Sequence, residues 1–263
     1  RCARPLPLNS RSGVVPQFSH PSPCKPCLTP RFRLTLRDGG ERLIRATRSN
    51  EALRGARRRM VLRLSQEGVR DARVRAALEA VPRHWLVPEA LRSQAYRDNA
   101  LPIGGGQTIS APSTVAAMSS ALELAGHEHV LEVGTGSGYQ AAVLARLAER
   151  VVSIERLPRL AAEARRALDR LGVTNVVVHL GDGSLGRPVE APYDAIVITA
   201  GAPAVPEPLL DQLAPGGCLV APVGPRGEQR LVRIRRGKDD RFTREVLGPC
   251  RFVDLVGRHG WAA

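Results

Sequence analysis

The stretch His129-Val130-Leu131-Glu132-Val133-Gly134-Thr135-Gly136-Ser137-Gly138-Tyr139-Gln140 constrains the fold of this chain more than any other part of it. An apolar run of strand length ends in three glycines set two apart, and the run that follows, Ala141-Ala142-Val143-Leu144-Ala145-Arg146-Leu147, has helical period. The pattern predicts strand, tight loop, helix. Glycine tolerates positive φ and lacks the β-carbon that would hold a ligand away, so such a loop can lie against a flat nucleoside at the end of a strand. A plain turn from strand to helix would need only one glycine.

The spacing separates the nucleotide classes. A dinucleotide fingerprint requires G-x-G-x-x-G, whereas here the third glycine comes one residue early, as Gly134-x-Gly136-x-Gly138. A P-loop would require Gly-Lys-Ser/Thr, which this stretch lacks. Preceded by the acid Glu132, the loop resembles the first motif of the S-adenosylmethionine-dependent methyltransferases. That resemblance implies an α/β, Rossmann-like doubly wound sheet and S-adenosyl-L-methionine as cofactor, with Glu132, Gly134, Gly136 and Gly138 as contacts. This cofactor carries no phosphate, so no phosphate cradle is needed.

Charge asks whether the partner is a polyanion. The net charge of +14 is concentrated at one end: residues 1–60 hold 14 Lys+Arg against 3 Asp+Glu, and residues 61–263 hold 25 against 22. The catalytic part is therefore near balance, and no nucleic acid is expected as its partner. No apolar run approaches the ~18 residues of a membrane-spanning helix, and the N-terminus lacks the apolar core of a secretory signal. A cytoplasmic monomer without a membrane partner is expected. The cysteines Cys2, Cys24, Cys27, Cys218 and Cys250 are an odd, scattered set that suggests no disulfide framework. Cys24-Lys-Pro-Cys27 has redox or half-zinc spacing, but no second pair completes a site, and His84, His127, His129, His179 and His259 form no metal spacing or triad. No metal is expected.

Residues 1–48, with seven prolines before Arg31 and many arginines, have the composition of a disordered basic extension. The segment begins with Arg and has no Met before Met60, which fits upstream sequence or a fragment; a basic arm for nucleic acid is the sharper alternative. Residues 49–263 are expected to form the enzyme domain, divided into a helical and substrate-loop region (49–112) and a cofactor-binding core (113–263). From Asn50 apolar residues recur at helical spacings around a break at Gly68, and Trp85, between Pro82 and Pro88, is expected to anchor the core. In Leu101-Pro102-Ile103-Gly104-Gly105-Gly106-Gln107-Thr108-Ile109-Ser110, a glycine triplet leads into small polar groups ahead of a helix over 113–124. This is a candidate substrate loop, and Ser110 or Ser113 is also placed to cap the helix.

Ala-Leu-Pro-Ile-Gly-x-Gly-Gln-Thr-Ile-Ser upstream of Leu-Glu-Val-Gly-Thr-Gly-Ser-Gly-Tyr-Gln is similar to the protein-L-isoaspartate O-methyltransferase family, and the similarity runs from about Leu62 to Val256. It implies Ser110 as the active-site residue, with Gln107, Thr108 and Ile109 beside the substrate. The chain departs from the family pattern at Ser113-Thr114 and at Asp254.

Downstream, Arg150-Val151-Val152-Ser153-Ile154-Glu155 ends in an acid about 20 residues past the loop, where a carboxylate can accept ribose hydroxyls. A helix over 160–171 stops at Gly172, and a strand over 175–180 runs into Gly181-Asp182-Gly183. In the family, Asp182 and Gly183 would contact the adenine. A strand over 193–200 is expected to face the methyl-transfer site, and Thr199-Ala200-Gly201-Ala202-Pro203 lacks the Asn/Asp-Pro-Pro-aromatic pattern of enzymes that methylate amide or base nitrogens. A helix over 206–213, a fifth strand over 218–223 and an antiparallel pair over 231–235 and 245–255 complete the expected core.

The reaction implied by the resemblance is methyl transfer to the α-carboxylate of L-isoaspartyl residues in damaged proteins. Two other classes stay open: a nucleic-acid methyltransferase using the basic arm, and a non-enzymatic protein that binds S-adenosylmethionine.

Overall fold

A computed structural model describes the backbone of residues 37–262 and the side chains of 51–262. Helix α1 (Arg37–Gln66) crosses the boundary expected at 48; after Pro30 the next proline is Pro82, so the chain chemistry does not interrupt a helix there. The rest of the expected extension, with Cys24 and Cys27, lies outside the described residues. The chain divides into compact units between Leu43 and Ile44, and the second unit contains everything below.

Its centre is a seven-stranded sheet in the order β5-β4-β3-β6-β7-β8-β9, formed by β3 (His129–Val133), β4 (Arg150–Glu155), β5 (Val176–Leu180), β6 (Tyr193–Ile198), β7 (Leu213–Val223), β8 (Gln229–Arg236) and β9 (Phe242–Cys250). The first five are parallel, and β8 and β9 close the sheet antiparallel. Successive residues of a strand face opposite sides. Val130 accordingly joins a core shared with α2 (Ala72–Ala80), α3 (Pro112–Ala121), α4 (Tyr139–Leu144) and α5 (Pro158–Arg170), whereas Leu131 joins one shared with α6 (Glu207–Asp211). Both faces of β3 are buried, which explains why Val130, Leu131 and Val133 do not alternate with exposed polar residues and why Glu132 between them is itself buried. The strand order reverses between β4 and β6, on either side of β3, and this places a ligand crevice at the carboxyl ends of the strands.

Three local expectations are corrected. The substrate loop is a hairpin, with β1 (Leu101–Gly104) antiparallel to β2 (Gln107–Ile109) and a turn in which Gly104, Gly105 and Gly106 all have positive φ. Neither Ser110 nor Ser113 caps α3; its first turn is capped from a distance, by Asp98 Oδ1 accepting the Ser113 N–H at 2.8 Å. Trp85 is 47% exposed, and its neighbours fill the core instead: Arg83 Nε donates to the Ala95 carbonyl at 2.8 Å with the guanidinium 4.7 Å from the Tyr139 ring, and His84 Nδ1 meets Tyr96 Oη at 2.6 Å. The short 3-10 turn Arg83–Trp85 points these two polar side chains inward and the indole outward.

Candidate active site

A cleft of about 840 Å³, counted to its open mouth, lies at the carboxyl ends of β3, β4 and β6. The glycine loop forms part of it. Gly134 N–H donates to the Ile154 carbonyl at 2.8 Å, and Thr199 Oγ1, from the end of β6, donates to the Gly134 carbonyl at 2.6 Å. A β-carbon on Gly134, at φ +100°, would stand 2.4 Å from that hydroxyl. Gly183 also requires the absence of a side chain, since a β-carbon there would stand 2.5 Å from Val133 Cγ1. The cradle is therefore built from backbone that only glycine permits.

Glu155 ends β4 and is almost fully buried at the cleft wall. Its Oε2 accepts the Gly136 N–H at 2.8 Å and its Oε1 the Leu157 N–H at 2.9 Å. The carboxylate thus fixes the loop while keeping acceptor capacity for two adjacent hydroxyls. The residues expected beside the substrate, Gln107, Thr108, Ile109 and Ser110, line the same cleft, as do Thr199, Ala200 and the segment Val253–Val256. No His lines it.

Of the residues expected to contact the cofactor, Gly134, Gly136, Glu155 and Gly183 line the cleft, and Glu132, Gly138 and Asp182 do not. Glu132 is fully buried within the sheet, and Ser153 Oγ donates to its Oε2; Ser153 Oγ also meets Thr135 Oγ1 at 2.5 Å. Burial pushes the Glu132 carboxyl up to about 8, against the pull of the Ser153 hydrogen bond. A strand places alternate side chains on opposite faces, so Glu132 reaches the cleft only through Ser153 and Thr135. Gly138 is the N-cap of α4, at φ +83°, packed against Ala164 and Leu168 of α5. Asp182 accepts hydrogen bonds from Ser184 N–H, Ser184 Oγ and Arg258 N–H at 2.7–2.9 Å. Burial works to raise its carboxyl, but these hydrogen bonds outweigh it and hold the group below the usual range.

Sequence reasoning missed the Thr135–Ser153–Glu132 chain and the wall Val253–Val256. Ser153 lies inside β4 and Thr135 just past β3, both buried, and nothing local in the sequence shows that they meet Glu132; the wall is brought in by tertiary pairing, with Gly201 N–H donating to the Val253 carbonyl at 2.7 Å. Among the described residues, no group of three or more His, Cys, Asp or Glu is placed to hold a metal.

A mostly parallel Rossmann-like sheet whose switch point carries a strand, a glycine loop and a helix, with an acid at the end of the next strand, has the architecture of the S-adenosylmethionine-dependent methyltransferases. The profile of the protein-L-isoaspartate(D-aspartate) O-methyltransferase family matches residues 56–260. Protein-L-isoaspartate O-methyltransferase 1 of Syntrophobacter fumaroxidans is 57% identical over 207 residues, spanning 78% of this chain and 96% of its own. The protein-L-isoaspartate O-methyltransferase of Geobacter metallireducens is 56% identical over 207 residues, with the same shares. A solved protein-L-isoaspartate O-methyltransferase superposes with a TM-score of 0.70 at 31% identity, over 78% of this chain and 67% of that one. At the level of fold alone, a Plasmodium falciparum structure in complex with S-adenosyl-L-homocysteine is also similar, with a TM-score of 0.67 at 24% identity over 76% of this chain and 98% of that one. The chain belongs to the protein-L-isoaspartate(D-aspartate) O-methyltransferase family.

Proposed function

We propose that this protein methylates the α-carboxylate of L-isoaspartyl residues in damaged proteins, the first step of their repair, with Ser110 positioning the acceptor. The observation that carries this reading is that the hairpin residues Gln107–Ser110 and the glycine cradle line one cleft. Gly134, Gly136, Glu155 and Gly183 would hold the cofactor. S-adenosylmethionine supplies the methyl group on a positively charged sulfur. The acceptor carboxylate, with a pKa of roughly 3.3–3.9, is already ionised at neutral pH, so no general base is required. A cleft without His is suited to that chemistry. Sulfur and oxygen both lose charge as the methyl group moves, which makes alignment away from bulk water the main contribution open to the protein. The backbone nitrogen of the next residue then attacks the ester carbonyl and expels methanol, and hydrolysis of the resulting succinimide by water can give normal aspartate.

Paired peptides differing only in L-isoaspartyl or L-aspartyl linkage test the reading directly. The first is expected to be methylated and the second largely ignored, because the extra backbone methylene shifts the carboxylate in a site that works by positioning. Ser110→Ala is expected to lower turnover with little change in cofactor affinity, and turnover to stay nearly flat from about pH 6 to 8. Equal methylation of both peptides, or label appearing only on added RNA, would overturn the assignment.

Glu155→Ala is expected to weaken cofactor binding by roughly 10- to 150-fold, since a hydrogen bond to a charged group contributes about 1.5–3 kcal/mol. Calorimetry showing unchanged affinity would remove Glu155 from the binding set.

We further propose a cytoplasmic monomer whose active part starts near Ser49. Met60 and Leu64 of α1 are fully buried and lie beyond that point, and no helix among the described residues is long and apolar enough to cross a membrane. A chain starting at Ser49 is expected to keep its thermal midpoint and turnover; a sharp loss of either would place the boundary earlier.

A further inference from the structure

The wall Val253–Val256 carries an ion pair that the reaction as described leaves without a task. Its backbone is stitched to the end of β6, with Leu255 N–H donating to the Gly201 carbonyl at 2.8 Å. In the middle of this wall Asp254 lines the cleft, and Arg226 Nε, from the turn between β7 and β8, donates to Asp254 Oδ2 at 2.6 Å. The same guanidinium stands 4.6 Å from the centre of the Trp261 ring. Trp261 is itself anchored, its Nε1 donating to the Gly201 carbonyl at 3.0 Å and its backbone N–H to the Leu255 carbonyl at 2.7 Å.

With the Arg226 side chain 60% exposed, the pair contributes little to stability. Its placement has a larger consequence. An acceptor that reacts as a carboxylate must bring a negative charge into a cleft whose wall already holds Asp254. A like charge in a partly enclosed site opposes that entry, and a fixed guanidinium removes the opposition. Stacking on an indole and bonding through Nε hold the cation in one orientation.

We propose that the Arg226–Asp254 pair sets the affinity of the cleft for its anionic acceptor: Arg226, held by Trp261, cancels the repulsion that Asp254 would exert. This rests on the isoaspartyl reading above, and it makes both residues determinants of specificity.

The test is initial-rate kinetics on an L-isoaspartyl peptide with the full chain, Arg226→Ala, Asp254→Asn and the double variant. Arg226→Ala is expected to raise the peptide KM about tenfold, with kcat and cofactor affinity nearly unchanged, and the rise should shrink as salt goes from about 0.05 to 0.5 M. Asp254→Asn alone should lower KM by about two- to threefold, because the cation is then unopposed. The double variant should return to within about threefold of the wild type, a rescue that two merely structural lost contacts would not produce. Thermal unfolding of each variant separates misfolding from charge, and if Arg226→Ala does not fold, the fall in KM for Asp254→Asn carries the test. A double variant as impaired as Arg226→Ala, or a KM that rises in Asp254→Asn, overturns the proposal while leaving the function intact. A wild type inactive on the isoaspartyl peptide overturns both.

Discussion

Gly134→Ala is expected to lower the thermal midpoint by about 4–16 °C and to weaken cofactor binding at least about tenfold. The added β-carbon meets Thr199 Oγ1 at 2.4 Å, and the backbone at φ +100° is strained for any residue with a side chain. To relieve the contact Thr199 must turn away, which breaks its hydrogen bonds to the Val133 and Gly134 carbonyls at 3.0 and 2.6 Å. Left-handed strain of about 1–2 kcal/mol and the lost bonding of about 1–2 kcal/mol together cost roughly 2–4 kcal/mol. Gly106→Ala is the control, because Gly106 also has positive φ, at +71°, but a β-carbon there meets nothing within 4 Å. That variant should lose only the strain. Equal losses in the two variants, measured by thermal unfolding, would show that the Thr199 contact is unimportant.

Glu132→Gln is expected to stabilise the protein, and increasingly so as pH rises from about 5 to 8. Burial raises the folded carboxyl from 4.5 to about 8, so at neutral pH the folded protein holds a proton that the unfolded chain has released. The unfolded state binds fewer protons across that window, and stability therefore falls as pH rises through it. The contribution of the neutral carboxyl is complete below the unfolded value and is lost by the folded one. With each pH unit worth about 1.4 kcal/mol, the rise from 4.5 to about 8 makes the full loss on the order of 5 kcal/mol, which the neutral amide avoids. Denaturant unfolding of both proteins from about pH 5 to 8.5 should show the gap opening with pH. A gap independent of pH would mean that the side chain is ionised in the folded state.

The two variants mark what the sequence makes legible and what it does not. The glycine loop and the acid at Glu155 follow from local chemistry, since few patterns other than strand–turn–helix place glycines at strand ends, whereas the doubly wound order of the parallel strands is implied only by the family resemblance. The direction of Glu132 does not follow from local chemistry. An acid before the loop suggests a ligand contact, but one step along a strand turns a side chain to the opposite face, and only the pairing of β3 with β4 brings Ser153 to meet it. The start of β7 was hidden for a similar reason. Pro215-Gly216-Gly217 suggests a break before a strand at Cys218, yet β7 begins at Leu213 and passes through an irregularity, pairing Tyr193 with Leu213 and then Ala195 with Cys218. The outward turn of Trp85 could not be foreseen either, because its neighbours Arg83 and His84 find buried partners in other elements, at Ala95 and Tyr96 beyond the next turn and at Tyr139 on α4.

The two sides of the cleft come from different parts of the chain. On the proposed assignment the cofactor side is contiguous, running from Gly134 to Gly183, whereas the acceptor side is assembled largely from the hairpin before it and from Val253–Val256 far after it, with Thr199 and Ala200 at the junction. Chimaeras are thereby possible in which the middle of the chain is kept and the two flanks are exchanged for those of another methyltransferase of this architecture. Such exchanges would graft a new acceptor preference onto an unchanged methyl donor module, with the Gly201 pairing to Val253 and Leu255 as the seam that has to be preserved.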